Sequence, residues 1–150
     1  MSGAAASVFL RSPLTAVQRA QLETFIGEAS GSPDRQSFWV LGQPFTLSLH
    51  EPEDEERSFQ LPGWSPAQTI CICCHVRGQT GDVLLAFIAA RVAEKFDGLI
   101  ALEGKLTAYT ANPSVLANEG RYASDELGVD VVTPGFLNYW AGMPDFRMCN

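Results

Sequence analysis

Thr69-Ile-Cys-Ile-Cys-Cys-His-Val76, read with the helix and strand after it, decides the fold. The run is apolar at nearly every position, the pattern of a strand buried on both faces within a sheet. Gly78-Gln-Thr-Gly81 then opens a helix expected from Asp82 to Phe96. Leu85, Ile88, Val92 and Phe96 line one face of it, Leu84 and Ala89 widen that face, and Arg91, Glu94 and Lys95 fall on the wet side. Gly98 suits the left-handed residue that closes a helix, and Leu99-Ile-Ala-Leu102 returns as a strand.

Toward the N-terminus, Phe45-Thr-Leu-Ser-Leu49 alternates apolar and polar residues, so one face is expected buried and the other wet. Ser37-Phe-Trp-Val-Leu41 pairs with it through Gly42-Gln-Pro44, a three-residue connection. Ser7-Val-Phe-Leu10 is a short strand. Thr15-Ala-Val-Gln18 has the capping-box pattern, and Leu14, Val17, Leu22, Phe25 and Ile26 make an apolar stripe reaching about Glu28. Ala29-Ser-Gly-Ser-Pro-Asp34 ends that helix. Ser58-Phe-Gln-Leu61 is read as resuming the sheet, and Pro62-Gly-Trp-Ser-Pro66 as a turn.

Beyond Leu102 the pattern weakens. Residues 103–128 read as a long loop, Val129-Asp-Val-Val132 as a strand, Pro134 with Gly135–Ala141 as a short helix, and Phe146-Arg-Met148 as an edge strand. The fold class is α+β. The expected architecture is one antiparallel or mixed sheet with two main helices on a single face, a split β-α-β-like core with an extra hairpin. At 150 residues, without an internal repeat or a linker, one domain is expected.

Charge narrows the function. Ten Lys and Arg against seventeen Asp and Glu leave a net charge of −7, and the pI is near 4.7. Such a chain repels nucleic-acid phosphates and anionic membranes, and its field suits a basic partner. Met1–Leu10 carries no basic residue ahead of its apolar ones, unlike a signal peptide. The cysteines Cys71, Cys73, Cys74 and Cys149 do not space like a secreted disulfide framework, so free thiols in the cytoplasm are expected.

Chemistry-bearing patterns are few. On a strand Cys71, Cys73 and His75 share a face, and two thiolates with an imidazole are zinc-ligand types. No second cysteine pair is present, and buried cysteine packs as a small hydrophobe, so the core-strand reading is preferred and no metal is assigned. Only His50 and His75 are available as imidazole bases, and neither a nucleophile elbow nor a phosphate-cradling loop occurs. No catalytic residue and no cofactor are assigned.

Glu51-Pro-Glu-Asp-Glu-Glu56 places five acids in six residues. It reads either as a solvated loop guarding a sheet edge or as a surface whose self-repulsion a basic partner relieves. Trp64, in its Pro-Gly-Trp-Ser-Pro turn nearby, reads as an interface anchor or as a ring folded onto its own core. Trp39 and Trp140 are expected in the core.

Phe38-Trp39-Val40 after the first strand and helix, Leu84–Phe96 running into Phe96-Asp-Gly-Leu-Ile100, Phe136-Leu-Asn-Tyr-Trp140 and Pro144-Asp-Phe-Arg-Met148 together resemble a family of small, acidic, functionally uncharacterised bacterial proteins. A helix closing into Gly-Leu-Ile before a strand is also similar to immunity proteins of polymorphic-toxin systems. The resemblance implies a cytoplasmic, non-enzymatic protein that neutralises a cognate protein toxin with a basic cleft by occluding its active site. It supplies no catalytic residues. The partner-binding residues expected here are Glu51, Glu53, Asp54, Glu55, Glu56 and Trp64. The alternatives are an adaptor acting through self-association and a small Cys/His-dependent enzyme or metal-binding protein.

Overall fold

The computed structural model describes residues 3–30, 37–124 and 127–148, with the side chains of 27–30 left aside. The strands are β1 (Ala5–Leu10), β2 (Ser37–Val40), β3 (Gln43–His50), β4 (Gln68–Cys74), β5 (Gly98–Leu102), β6 (Arg121–Ser124) and β7 (Val129–Val132). They form one antiparallel sheet in the order β2-β3-β4-β1-β5-β7-β6. The two main helices are α1 (Ala16–Ser30) and α3 (Gln79–Phe96). The shorter ones are α2 (Asp54–Arg57), α4 (Pro113–Leu116) and α5 (Pro134–Ala141), with a 3-10 turn over Leu106–Ala108.

Period-2 alternation in the strands builds the core. Val8, Leu10, Phe45, Leu47, Ile70, Ile72, Ile100 and Val132 meet the buried stripes of α1, α3 and α5 on one face of the sheet. Each such side chain contributes roughly 1.5–3 kcal/mol on burial. The architecture is the expected α+β layering, with both main helices on that face. On the opposite face Phe9, Ala101 and Val131 gather a smaller cluster around Phe59, with Trp64 and Tyr122 against it.

The capping box forms. Thr15 Oγ1 accepts from the Gln18 amide at 3.1 Å, and Gln18 Oε1 accepts from the Thr15 amide at 3.0 Å. Val17, however, is 68% exposed. The apolar stripe in the sequence takes its phase from Leu14, which lies ahead of the helix, its amide donating to Gln68 Oε1 at 2.7 Å. The helix itself buries Leu22 and Ile26, with Phe25 half-buried. The turn expected over 29–34 lies largely outside the described residues, as does Cys149.

The hairpin closes through two residues, not three. Leu41 and Gly42 both have positive φ, +48° and +77°, as a two-residue primed turn demands. Gln43 and Pro44, read from sequence as connection, pair with Val40 and Trp39. Trp39 is 61% exposed rather than core, because alternation turns Phe38 inward, stacked on Phe45 at 5.5 Å, and Trp39 outward. Trp140 is buried as expected.

Other differences from expectation come from contacts distant in sequence. β4 buries Ile70, Ile72 and Cys74 on the helix side, but Cys71 and Cys73 on the other side are only half-buried. Helix α3 starts at Gln79, and its left-handed closing residue is Asp97 (φ +54°), not Gly98. Gly98 already belongs to β5, where a Cβ would stand 2.7 Å from the Phe9 carbonyl oxygen. The segment 103–128 holds the 3-10 turn, α4 and strand β6. Ser58–Leu61 joins no ladder. Its one bridge is Leu61 to Trp64, with backbone hydrogen bonds of 2.9 Å in both directions. Phe146 and Met148 are buried without forming a strand. Phe146 packs edge-on to Trp140 at 4.8 Å, and the Met148 amide donates to Asp82 Oδ2 at 3.1 Å. Among the described residues no helix is long and apolar enough to cross a membrane.

Candidate functional site

On the side of the sheet away from the main helices, Phe9, Thr69, Ala101 and Val131 are buried, while Ser7, Thr46, Ser48, Cys71 and Cys73 remain half-buried or exposed. Register places Ser48, Cys71, Ser7 and Ala101 in one row across β3, β4, β1 and β5. The next row holds Thr46, Cys73 and Ala5. His75, just past the end of β4, places its Nε2 2.8 Å from Thr46 Oγ1. Its own amide donates to the Pro44 carbonyl at 2.9 Å.

Cys71 Sγ and Cys73 Sγ lie 3.8 Å apart, as two residues on the same face of one strand can. The two thiols are perturbed in opposite directions. Hydrogen bonding from Cys71 stabilises the Cys73 thiolate and brings its pKa down to about 7, with help from Thr46 and against the opposing effects of burial and Glu103. Cys71 is pushed strongly up, first by that same hydrogen bond and then by burial. Cys74, on the helix side, is raised by burial. The three thiols are free.

The acidic run borders this face as structure rather than loop. Glu53 caps α2, and Glu56 Oε1 accepts from the Glu53 amide at 2.9 Å and from Thr69 Oγ1 at 3.2 Å. His50 Nδ1 stands 4.0 Å away. Glu56 is therefore a brace holding α2 to β4. Glu51, Glu53, Asp54 and Glu55 remain exposed. Arg57 lies 3.9 Å from Glu51 and 3.8 Å from Asp54, at exposed positions where such pairs contribute little. Glu53, Glu55 and Glu56 line a groove of about 340 Å³ together with Ser7, Phe9 and Glu103.

Glu103 is the site residue that sequence reading missed. Nothing in its local sequence marks it. Pairing of Ala6 with Leu102 brings it beside Ala5, whose backbone hydrogen bond steadies its carboxylate, while partial burial pushes its pKa up. Trp64 is not gathered with the acids. Its half-buried ring meets Phe59 edge-on at 5.8 Å, within the Phe9–Phe59–Tyr122 cluster.

Fold and site together define an α+β protein whose antiparallel sheet is covered by helices on one side and presents hydroxyls, thiols and an acidic rim on the other. The chain belongs to the family of unknown function DUF6368, whose model matches residues 2–150. No curated protein and no solved structure matches it.

Proposed function

We propose that this chain is an immunity-type inhibitor, a cytoplasmic protein that binds a basic bacterial toxin and occludes its active cleft. One observation carries the reading. Carboxylates from two distant parts of the chain, Glu53 capping α2 and Glu55 within it, and Glu103 after β5, line one groove on the side of the sheet away from the main helices. Glu51 and Asp54 extend the same rim. The combined field of these acids attracts a cationic surface and speeds its encounter. The net charge of −7 acts in the same direction. A rigid sheet supporting the rim limits the ordering cost of binding.

The test begins with recovery of a basic protein bound to the tagged full chain, in about equal amount. That protein is expected to arrest growth when expressed alone and to be tolerated when this chain is co-expressed. Replacing Glu51, Glu53, Asp54 and Glu55 together by Ser is expected to weaken binding at least tenfold and to flatten its salt dependence. Glu56 is left in place because it braces α2, and Ser at position 53 remains a good helix cap. Unchanged affinity at low salt would remove the acidic rim from the interface.

A further inference from the structure

The dithiol on the face away from the main helices goes beyond a charged docking surface. Cys71 and Cys73 sit on β4, hydrogen-bonded on both sides to β3 and β1, so the backbone holds their spacing. Sulfurs 3.8 Å apart, each at the ~2.3 Å typical of a zinc–thiolate bond, subtend an angle of about 111° at a shared ion, close to tetrahedral. A linear two-sulfur site would need about 4.6 Å at the same bond length. A disulfide would need the sulfurs to close to about 2.05 Å between residues whose strand geometry keeps their Cβ atoms apart. The spacing therefore suits chelation of a tetrahedral ion better than oxidation.

We propose that Cys71 and Cys73 form a two-thiolate clamp for a zinc-class ion, with His75 as the third ligand and one position left open. Thr46 links the parts, since its hydroxyl meets His75 Nε2 at 2.8 Å and hydrogen-bonds Cys73. Among the described residues no three His, Cys, Asp or Glu side chains already stand together at ligating distance. The imidazole joins by swinging off Thr46 toward the sulfurs. His75 is exposed, its Thr46 bond is the contact the ring gives up in swinging, and both thiols lie on the side away from the main helices. Thiolate and imidazole donors favour zinc-like ions over the hard, oxygen-seeking ones.

The experiment titrates reduced, metal-free full-length protein with Cd²⁺ alone, reading the thiolate-to-cadmium charge-transfer absorbance, and then with Co²⁺ for the visible tetrahedral spectrum. One ion per chain is expected. Cys71→Ser and Cys73→Ser should each lower affinity at least about tenfold, and His75→Ala should do the same while keeping the sulfur–cadmium band. Cys74→Ala and Cys149→Ser should bind as the parent does. Circular dichroism of each variant separates loss of the site from loss of the fold. Absence of the charge-transfer band in the parent, binding that survives Cys71→Ser with Cys73→Ser, or binding lost only with Cys74 or Cys149 would overturn the clamp. Unchanged affinity in His75→Ala would remove the imidazole from it.

Discussion

The two faces of the sheet are made from alternate residues of the same strands, yet one is apolar almost throughout and the other only in part. Toward the helices stand Val8, Ile70, Ile72 and Ile100, all at 0% exposure. Toward the other side stand Ser7, Thr46, Ser48, Cys71 and Cys73, half-buried or exposed. One face holds the molecule together by burial. The other is divided: Phe9, Ala101 and Val131 are buried against Phe59, while the part over β3 and β4 keeps its hydroxyls and thiols half-buried or exposed. Close-packed interiors penalise lost volume, whereas a surface away from special features tolerates change.

Phe38 and Trp39 allow the sharpest attempt to break that contrast, because they are adjacent and point to opposite faces. Phe38→Ala is expected to cost about 3–5 kcal/mol in urea unfolding, since it empties a fully buried site stacked on Phe45. Trp39→Ala should cost no more than about 0.5 kcal/mol despite removing the larger ring. Comparable losses would mean that the exposed part of the other face carries structural weight after all. Within β4 the same test compares Ile72→Ala, expected to cost about 2–5 kcal/mol, with Cys73→Ala, expected to cost under about 1 kcal/mol.

Gly98→Ala probes how tightly β5 lies against β1. The added methyl meets the Phe9 carbonyl oxygen at 2.7 Å and side-chain carbons of Leu10 and Val8 at 3.0 Å. The backbone oxygen cannot swing aside, so a loss of about 1–3 kcal/mol is expected. A neutral result would mean that these central strands can separate at little cost.

The smallest effect is one of pH. Partial burial raises the folded-state pKa of Glu103 above its ordinary 4.5, so between the unfolded and folded values the native state holds more protons. Stability contributed by this group therefore falls as pH rises through that window. Glu103→Gln should be slightly more stable than the parent at pH 7, and the difference should close below about pH 4.5. Melting temperatures at both pH values read this directly. A less stable variant at pH 7 would show that the Ala5 backbone bond outweighs the loss of hydration.

Much of the fold was legible where local pattern and global burial agree. Thr15 and Gln18 form a reciprocal cap from spacing alone. The stripe of α3 buries Leu85, Ile88, Val92 and Phe96 as its period requires. Strand β6, Arg-Tyr-Ala-Ser, was not legible, because its side chains carry no alternation and its pairing with β7 defines it. Phe146 and Met148 read as strand because they alternate, but Phe146 packs edge-on to Trp140 and the Met148 amide donates to Asp82 of α3.

For the candidate site the division is similar. That Cys71, Cys73 and His75 share a face comes from the two-residue period of a strand, and the acidity of residues 51–56 is plain from composition. Those properties are local, and the chain carries them wherever it goes. Which face the helices cover, that Glu56 turns inward as a brace, that Trp64 lies on Phe59, and that Glu103 joins the acidic rim were decided by tertiary structure. Each depends on strand register and layer packing between residues far apart in the chain, where the free energy of burial, rather than neighbouring sequence, selects the partner.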